Sequence, residues 1–234
     1  MEKRTLRPPF FVVNPKAYLY GEAALKLAKE ADRLAGEHDI DILFTVQYVD
    51  TYRIAQETEH LIITTQHMDS LMPDRGMGYI LPEGLVEAGV RATFLNHAEH
   101  PVTVHELDNT MRRAKELGIL TIVCADSIAE ARAISTLKPD VMLCEPTELI
   151  GTGTSSDISY MKQTNEAVKS VNPDMFVLQA AGISTPADVC KALESGAEGT
   201  GGTSGIIATP DPVVTLEAMI AEVVAIKKIK WSDN

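Results

Sequence analysis

Short runs of β-branched and aliphatic residues recur along the chain, at Phe10 to Val13, Ile40 to Val46, Leu61 to Thr65, Ala92 to Leu95, Ile119 to Cys124, Val141 to Cys144 and Phe176 to Leu178. Runs of this length that are apolar almost throughout are the pattern of strands covered on both faces, so seven buried strands are predicted. Between them lie segments with helical spacing and helical punctuation. Ser127 followed by Glu130, and Thr103 followed by Glu106, stand in capping-box register. Thr185-Pro186 and Asp211-Pro212 each place a cap residue before a proline suited to the first helical turn. Gly36, Gly118 and Gly196 fall where helices are expected to stop. The last helix carries an apolar stripe through Val213, Leu216, Ile220 and Val224.

Strands alternating with helices imply parallel β-α units joined by right-handed crossovers, and eight such units at this length match a closed (β/α)8 barrel. The eighth strand has to lie after Gly196, where the sequence reads Gly199-Thr200-Gly201-Gly202-Thr203-Ser204-Gly205, a poor strand by propensity. An open doubly wound sheet competes, but its glycine fingerprint is missing after the first strand, which runs into Asn14-Pro15-Lys16. The barrel is preferred. At 234 residues and 45% hydrophobic content the chain can bury one sizeable core, so residues 1–234 are expected to form a single domain.

Composition narrows the partners. A net charge of -12 without a basic stripe argues against nucleic acid, and no apolar run approaches a membrane span. Met1-Glu2-Lys3-Arg4 is not followed by a signal-type apolar core, so a cytoplasmic location is expected. Cys124, Cys144 and Cys190 are an odd, widely spaced set, which favours reduced thiols over a disulfide framework or a zinc cluster. His97, His100 and His105 do not have the spacing of a zinc-helix motif, and no metal is expected.

In a barrel, the C-terminal ends of the strands converge on one face, and here those ends are polar. Asn14 and Lys16 follow the first strand, Asn96 and His97 the fourth, and Glu145 the sixth. A carboxylate, an imidazole and a cation around one cleft suit proton transfer next to a carbonyl. The carboxylate takes a carbon-bound proton, the imidazole hydrogen-bonds the oxygen and the lysine offsets the enediolate charge. Each residue alone also has a plainer reading: a solvated loop lysine, a satisfied core histidine, a helix-capping glutamate. Later loops hold Ile150-Gly151, Gly182 and Thr203-Ser204-Gly205, where backbone N–H groups can surround a phosphate, although tight turns alone also call for glycine.

These residues resemble the triosephosphate isomerase family in its short archaeal-type form, over nearly the whole chain. Asn14-Pro15-Lys16 is similar to the family's Asn-x-Lys, Leu95-Asn96-His97-Ala98-Glu99 to its histidine motif, and Glu145-Pro146-Thr147-Glu148-Leu149-Ile150-Gly151-Thr152-Gly153 to its base and hinged loop. The resemblance implies that Glu145 is the general base and His97 the electrophile. Lys16 would stabilise charge with Asn14 orienting it, and Glu99 would be the carboxylate behind them. The loop from Pro146 to about Ser155 would be a lid whose Ile150 and Gly151 meet the phosphate, with Gly182, Thr203 and Ser204 as further phosphate contacts. It also implies a small phosphorylated sugar as substrate, no metal or organic cofactor, a step of glycolysis and gluconeogenesis, and a homodimer or homotetramer that uses the segment from His67 to Tyr79 as a protruding contact loop.

The chain departs from the family pattern at Ala98, where a serine is usual, and at Gln179-Ala180-Ala181-Gly182 and Thr200-Gly201-Gly202. These surround the phosphate side and the far wall. Gly201 and Gly202 are expected to enlarge the pocket, which keeps open a larger ketose phosphate such as an erythrulose phosphate. A phosphosugar-binding barrel without catalysis is the further alternative.

Overall fold

The computed structural model describes residues 5–146 and 156–231. Eight parallel strands close into a barrel in the order of the chain. They are β1 (Phe10–Val13), β2 (Ile42–Val46), β3 (Ile62–Thr65), β4 (Ala92–Leu95), β5 (Leu120–Ala125), β6 (Val141–Cys144), β7 (Phe176–Gln179) and β8 (Gly199–Gly202). The helices are α1 (Gly21–His38), α2 (Thr51–Glu57), α3 (Pro82–Glu87), α4 (Val104–Leu117), α5 (Ile128–Ser135), α6 (Ile158–Val171), α7 (Pro186–Glu194), α8 (Ser204–Ile207) and α9 (Pro212–Lys230). Crossover helices cover the outer face, which is why the strands carry apolar side chains in both directions. Phe10, Val12, Leu43, Ile62, Phe94, Leu143 and Leu178 point inward and fill the barrel. Their neighbours Phe11, Val13, Ile42, Phe44, Leu95, Met142 and Val177 pack into the layer beneath the helices.

The eighth strand forms in the glycine-rich segment where it was expected. Phe10 pairs with Gly199 and Val12 with Gly201, so β8 closes the barrel against β1. A Cβ at Gly199 would lie 2.1 Å from the Phe10 ring, and one at Gly201 would lie 2.2 Å from the Val12 carbonyl oxygen. The first strand supplies the bulk that the last one lacks, and sheet pairing overrides a poor local propensity.

One helix boundary differs from expectation. Helix α1 runs through Gly36 to His38, and the cap residue Asp39 takes the left-handed conformation at φ 49. Gly36 marks close packing instead: a Cβ there would meet the His60 ring at 2.6 Å. Asp39 is held by an ion pair to Arg7 at 2.8 Å. Gly118 does close α4 in the left-handed conformation, and Gly196 follows the α7 cap residue Ser195.

Thr103 and Glu106 form the reciprocal capping box, whereas Ser127 forms half of one. The Glu130 carboxylate turns instead to the Asp126 N–H and the Asn96 side chain. Thr185 caps α7 ahead of Pro186, and Asp211 caps α9 by accepting from the Val213 and Val214 N–H groups. The buried face of α9 is Leu216, Met219, Ile220, Val223 and Ile226, with Val213 and Val224 half-buried at its margin.

Candidate active site

Lys16 follows β1 in a left-handed backbone conformation, φ 46, which a residue with a side chain adopts at a cost of about 1 kcal/mol or more. Three hydrogen bonds hold it there. Its N–H donates to Asn14 Oδ1 at 3.1 Å, and its carbonyl accepts from Gln47 Nε2 at 2.7 Å and Gln66 Nε2 at 3.0 Å. At about 1 kcal/mol each these offset the strain. Gln47 and Gln66 stand immediately after β2 and β3 and belong to no sequence motif. The signal for them is only that each is the first polar side chain beyond an apolar strand. The ammonium enters the cleft and lies 3.2 Å from Glu99 Oε2.

Asn96 and His97 follow β4. Asn96 is also left-handed, φ 57, and its side chain points away from the cleft. It donates to the Cys124 carbonyl and to Glu130, and accepts from the Val102 N–H, which pins both ends of the loop. Asn96 therefore shapes the loop and does not join the cleft group. His97 is mostly buried, its side chain 12% exposed. The Glu99 N–H donates to His97 Nδ1 at 3.1 Å, so the lone pair on that nitrogen is occupied and the neutral ring carries its proton on Nε2. Burial, followed by the nearby Lys16 charge, pushes the imidazole pKa down. The ring is held as a neutral donor.

Glu145 extends β6 by one residue: its N–H donates to the Ala125 carbonyl, which fixes the carboxyl at the rim. Its side chain is 14% exposed, and Oε2 faces His97 Nε2 at 3.8 Å, too far for a hydrogen bond. Burial pushes its pKa up, against the attraction of Lys16, as suits a base that must accept a proton near neutrality. Glu99, 62% exposed, stands behind the cation and the imidazole.

Asn14, Lys16, His97, Glu99 and Glu145 line one cleft with Gly182, Thr203 and Ser204 on its far wall. Ile150, Gly151 and the body of the expected lid lie at 147–155, outside the described residues. Among the described residues no group of three or more His, Cys, Asp or Glu is placed to hold a metal ion.

A family model described as triosephosphate isomerase matches residues 9–204. The chain belongs to the triosephosphate isomerase family. A triosephosphate isomerase of Methanobacterium bryantii is 38% identical over 92% of this chain and 97% of its own length. One from Saccharolobus solfataricus is 34% identical over 92% and 96%, and one from Methanosarcina mazei 36% over 91% and 97%.

The glycines of strand eight have close neighbours at the positions a side chain would take. The expectation that Gly201 and Gly202 widen the pocket fails, because Val12 occupies the space beside Gly201. A Cβ on Gly202 would point outward, toward the Ile183 carbonyl and Ile206. No helix among the described residues is long and apolar enough to cross a membrane.

Proposed function

We propose that the chain interconverts dihydroxyacetone phosphate and D-glyceraldehyde 3-phosphate, with Glu145, His97, Lys16 and Asn14 as its working residues. The observation that carries this reading is the meeting of Lys16, His97 and Glu145, from three separate strand ends, in one cleft with Gly182, Thr203 and Ser204. Glu145 removes a proton from the carbon next to the carbonyl and returns it to the neighbouring carbon. The neutral His97 gives its Nε2 proton to the carbonyl oxygen as that oxygen gains negative charge and takes up the hydroxyl proton of the neighbouring carbon, so the second oxygen becomes the new carbonyl. Lys16 offsets the enediolate charge, and Asn14 holds the lysine backbone in the turn that aims it. Glu99 supports both through its carboxylate and its N–H. Gly182, Thr203 and Ser204, together with Ile150 and Gly151, hold the phosphate.

In a coupled assay the purified protein is expected to convert either triose phosphate into the other without added metal or cofactor; no conversion would end the proposal. A four-carbon ketose phosphate is disfavoured, because the room expected beside strand eight is filled. The same assay with both substrates gives the specificity constants that decide between them. A binding barrel without catalysis is disfavoured by the buried carboxylate and the oriented imidazole, which binding alone does not need.

The chain is further proposed to work in the cytoplasm as a homodimer or homotetramer. Cys124 and Cys144 are buried free thiols, suited to a reducing compartment. Met72, Met77 and Tyr79, in the segment from His67 to Tyr79, are exposed, Met77 fully, and Tyr18, Tyr20 and Tyr52 are exposed as well. A second copy is proposed as the cover of the segment that carries Met72, Met77 and Tyr79. Light scattering at micromolar concentration is expected to give a multiple of the 25.4 kDa chain mass, and a monomer mass would refute self-association.

A further inference from the structure

Gln179 is the last residue of β7 and is fully buried in a layer that is otherwise mostly apolar. Its neighbour Leu178 turns inward to the barrel interior, so the Gln179 amide reaches outward to α6. There its Nε2 donates twice, to Thr164 Oγ1 at 2.8 Å and to Asn165 Oδ1 at 2.9 Å. Asn165 in turn donates to the carbonyl and hydroxyl of Ser195 at the end of α7. The Gln179 carbonyl accepts from the Thr200 hydroxyl of β8 at 2.9 Å, while its Oε1 has no partner.

Two features set this network apart. The gain from its hydrogen bonds is roughly cancelled by the unpaired Oε1, so stability does not account for a buried amide where an apolar side chain would fill the same space. Its position also joins the two halves of the cleft. Ala180 and Gly182, directly after Gln179, form part of the cleft wall. Thr164, which accepts from Gln179, also meets the thiol of Cys144, the residue before Glu145. Apolar packing is non-directional, whereas an amide with both N–H groups committed allows one register.

We propose that Gln179 is a positioning residue that sets the loop after β7 against α6 and the strand carrying Glu145, and so fixes where the phosphate of the substrate is held. This rests on the reading of that loop as a phosphate contact. Displacing the loop changes binding of the phosphate and leaves the proton transfer largely intact.

The test combines steady-state kinetics on dihydroxyacetone phosphate with titration of inorganic phosphate by calorimetry, on the full chain. Gln179→Met, close in length and unable to donate, is expected to raise KM and the phosphate Kd in parallel by about tenfold, with kcat within about twofold. Thr164→Val removes one of the two bonds from the other side, leaves the one to Asn165, and should raise KM and the phosphate Kd together by a smaller factor. The double variant should cost no more than the larger single effect. Thr164→Ser keeps the hydroxyl and should match the parent. If Gln179→Met fails to fold, Thr164→Val carries the test alone. Unchanged KM and phosphate Kd, or a fall confined to kcat, would overturn the proposal. A parent protein that binds no phosphate would instead remove the underlying reading of the loop.

Discussion

Glu145→Gln is expected to lower kcat by about 10³-fold, because the amide keeps the shape of the side chain and cannot take the proton, while binding of a non-reacting phosphorylated analogue survives. The same change should not weaken the fold. Burial raises the carboxyl pKa in the folded chain, so the residue's favourable contribution is present only below the ordinary glutamate range and is lost as pH rises through the raised value. At neutral pH the ionised carboxylate therefore subtracts from stability, and the glutamine variant is expected to melt at or above the parent. That difference should close toward about pH 4, where the carboxyl is protonated in both states. Kinetics give a second check: kcat/KM of the parent should fall on the acid side with a midpoint above that of an ordinary glutamate. Activity within tenfold of the parent would remove Glu145 as the base, and a variant that melts well below it would contradict the electrostatic account.

Lys16→Met is the other large loss expected, about 10²-fold or more in kcat/KM, since it removes the positive charge beside the developing enediolate and phosphate. It also has a signature that a simple loss of packing lacks. The lysine charge lowers the pKa of both His97 and Glu145, so without it both groups hold protons more strongly. The acid limb of the residual kcat/KM profile should then move to higher pH. A change of only a few fold, or an acid limb that stays in place, would show that the cation is not coupled to the reacting groups.

Much of the arrangement was legible because it follows from pattern. β1, β4 and β6 begin and end where their apolar runs do, since a strand shielded on both faces admits few polar residues. Lys16, His97 and Glu145 could be picked out as charged or ionisable groups at the ends of such runs. What stayed hidden depends on contacts between distant segments. The filling of Gly199 and Gly201 by Phe10 and Val12 has no local trace, so Gly201, with Gly202, suggested room that the neighbouring atoms in fact occupy. Gln47 and Gln66 belong to no motif, because an amide that supports a strained carbonyl can come from any nearby loop. Gly36 read as a stop because glycine is common beyond helix ends, and the reason it lies inside α1 is a ring on the segment before β3. Gln179 stood out as a departure, but its role depends on Asn165 and Thr164 lying opposite it.

The seam between β1 and β8 bears on how the chain comes together. The aromatic ring that completes the barrel is made long before the bare backbone it covers. Until then Phe10 has no permanent berth, and the ring of strands stays open at that seam. Contacts so far apart in sequence form late and slowly, so a growing chain has to keep its first strand from sticking elsewhere until the last one arrives.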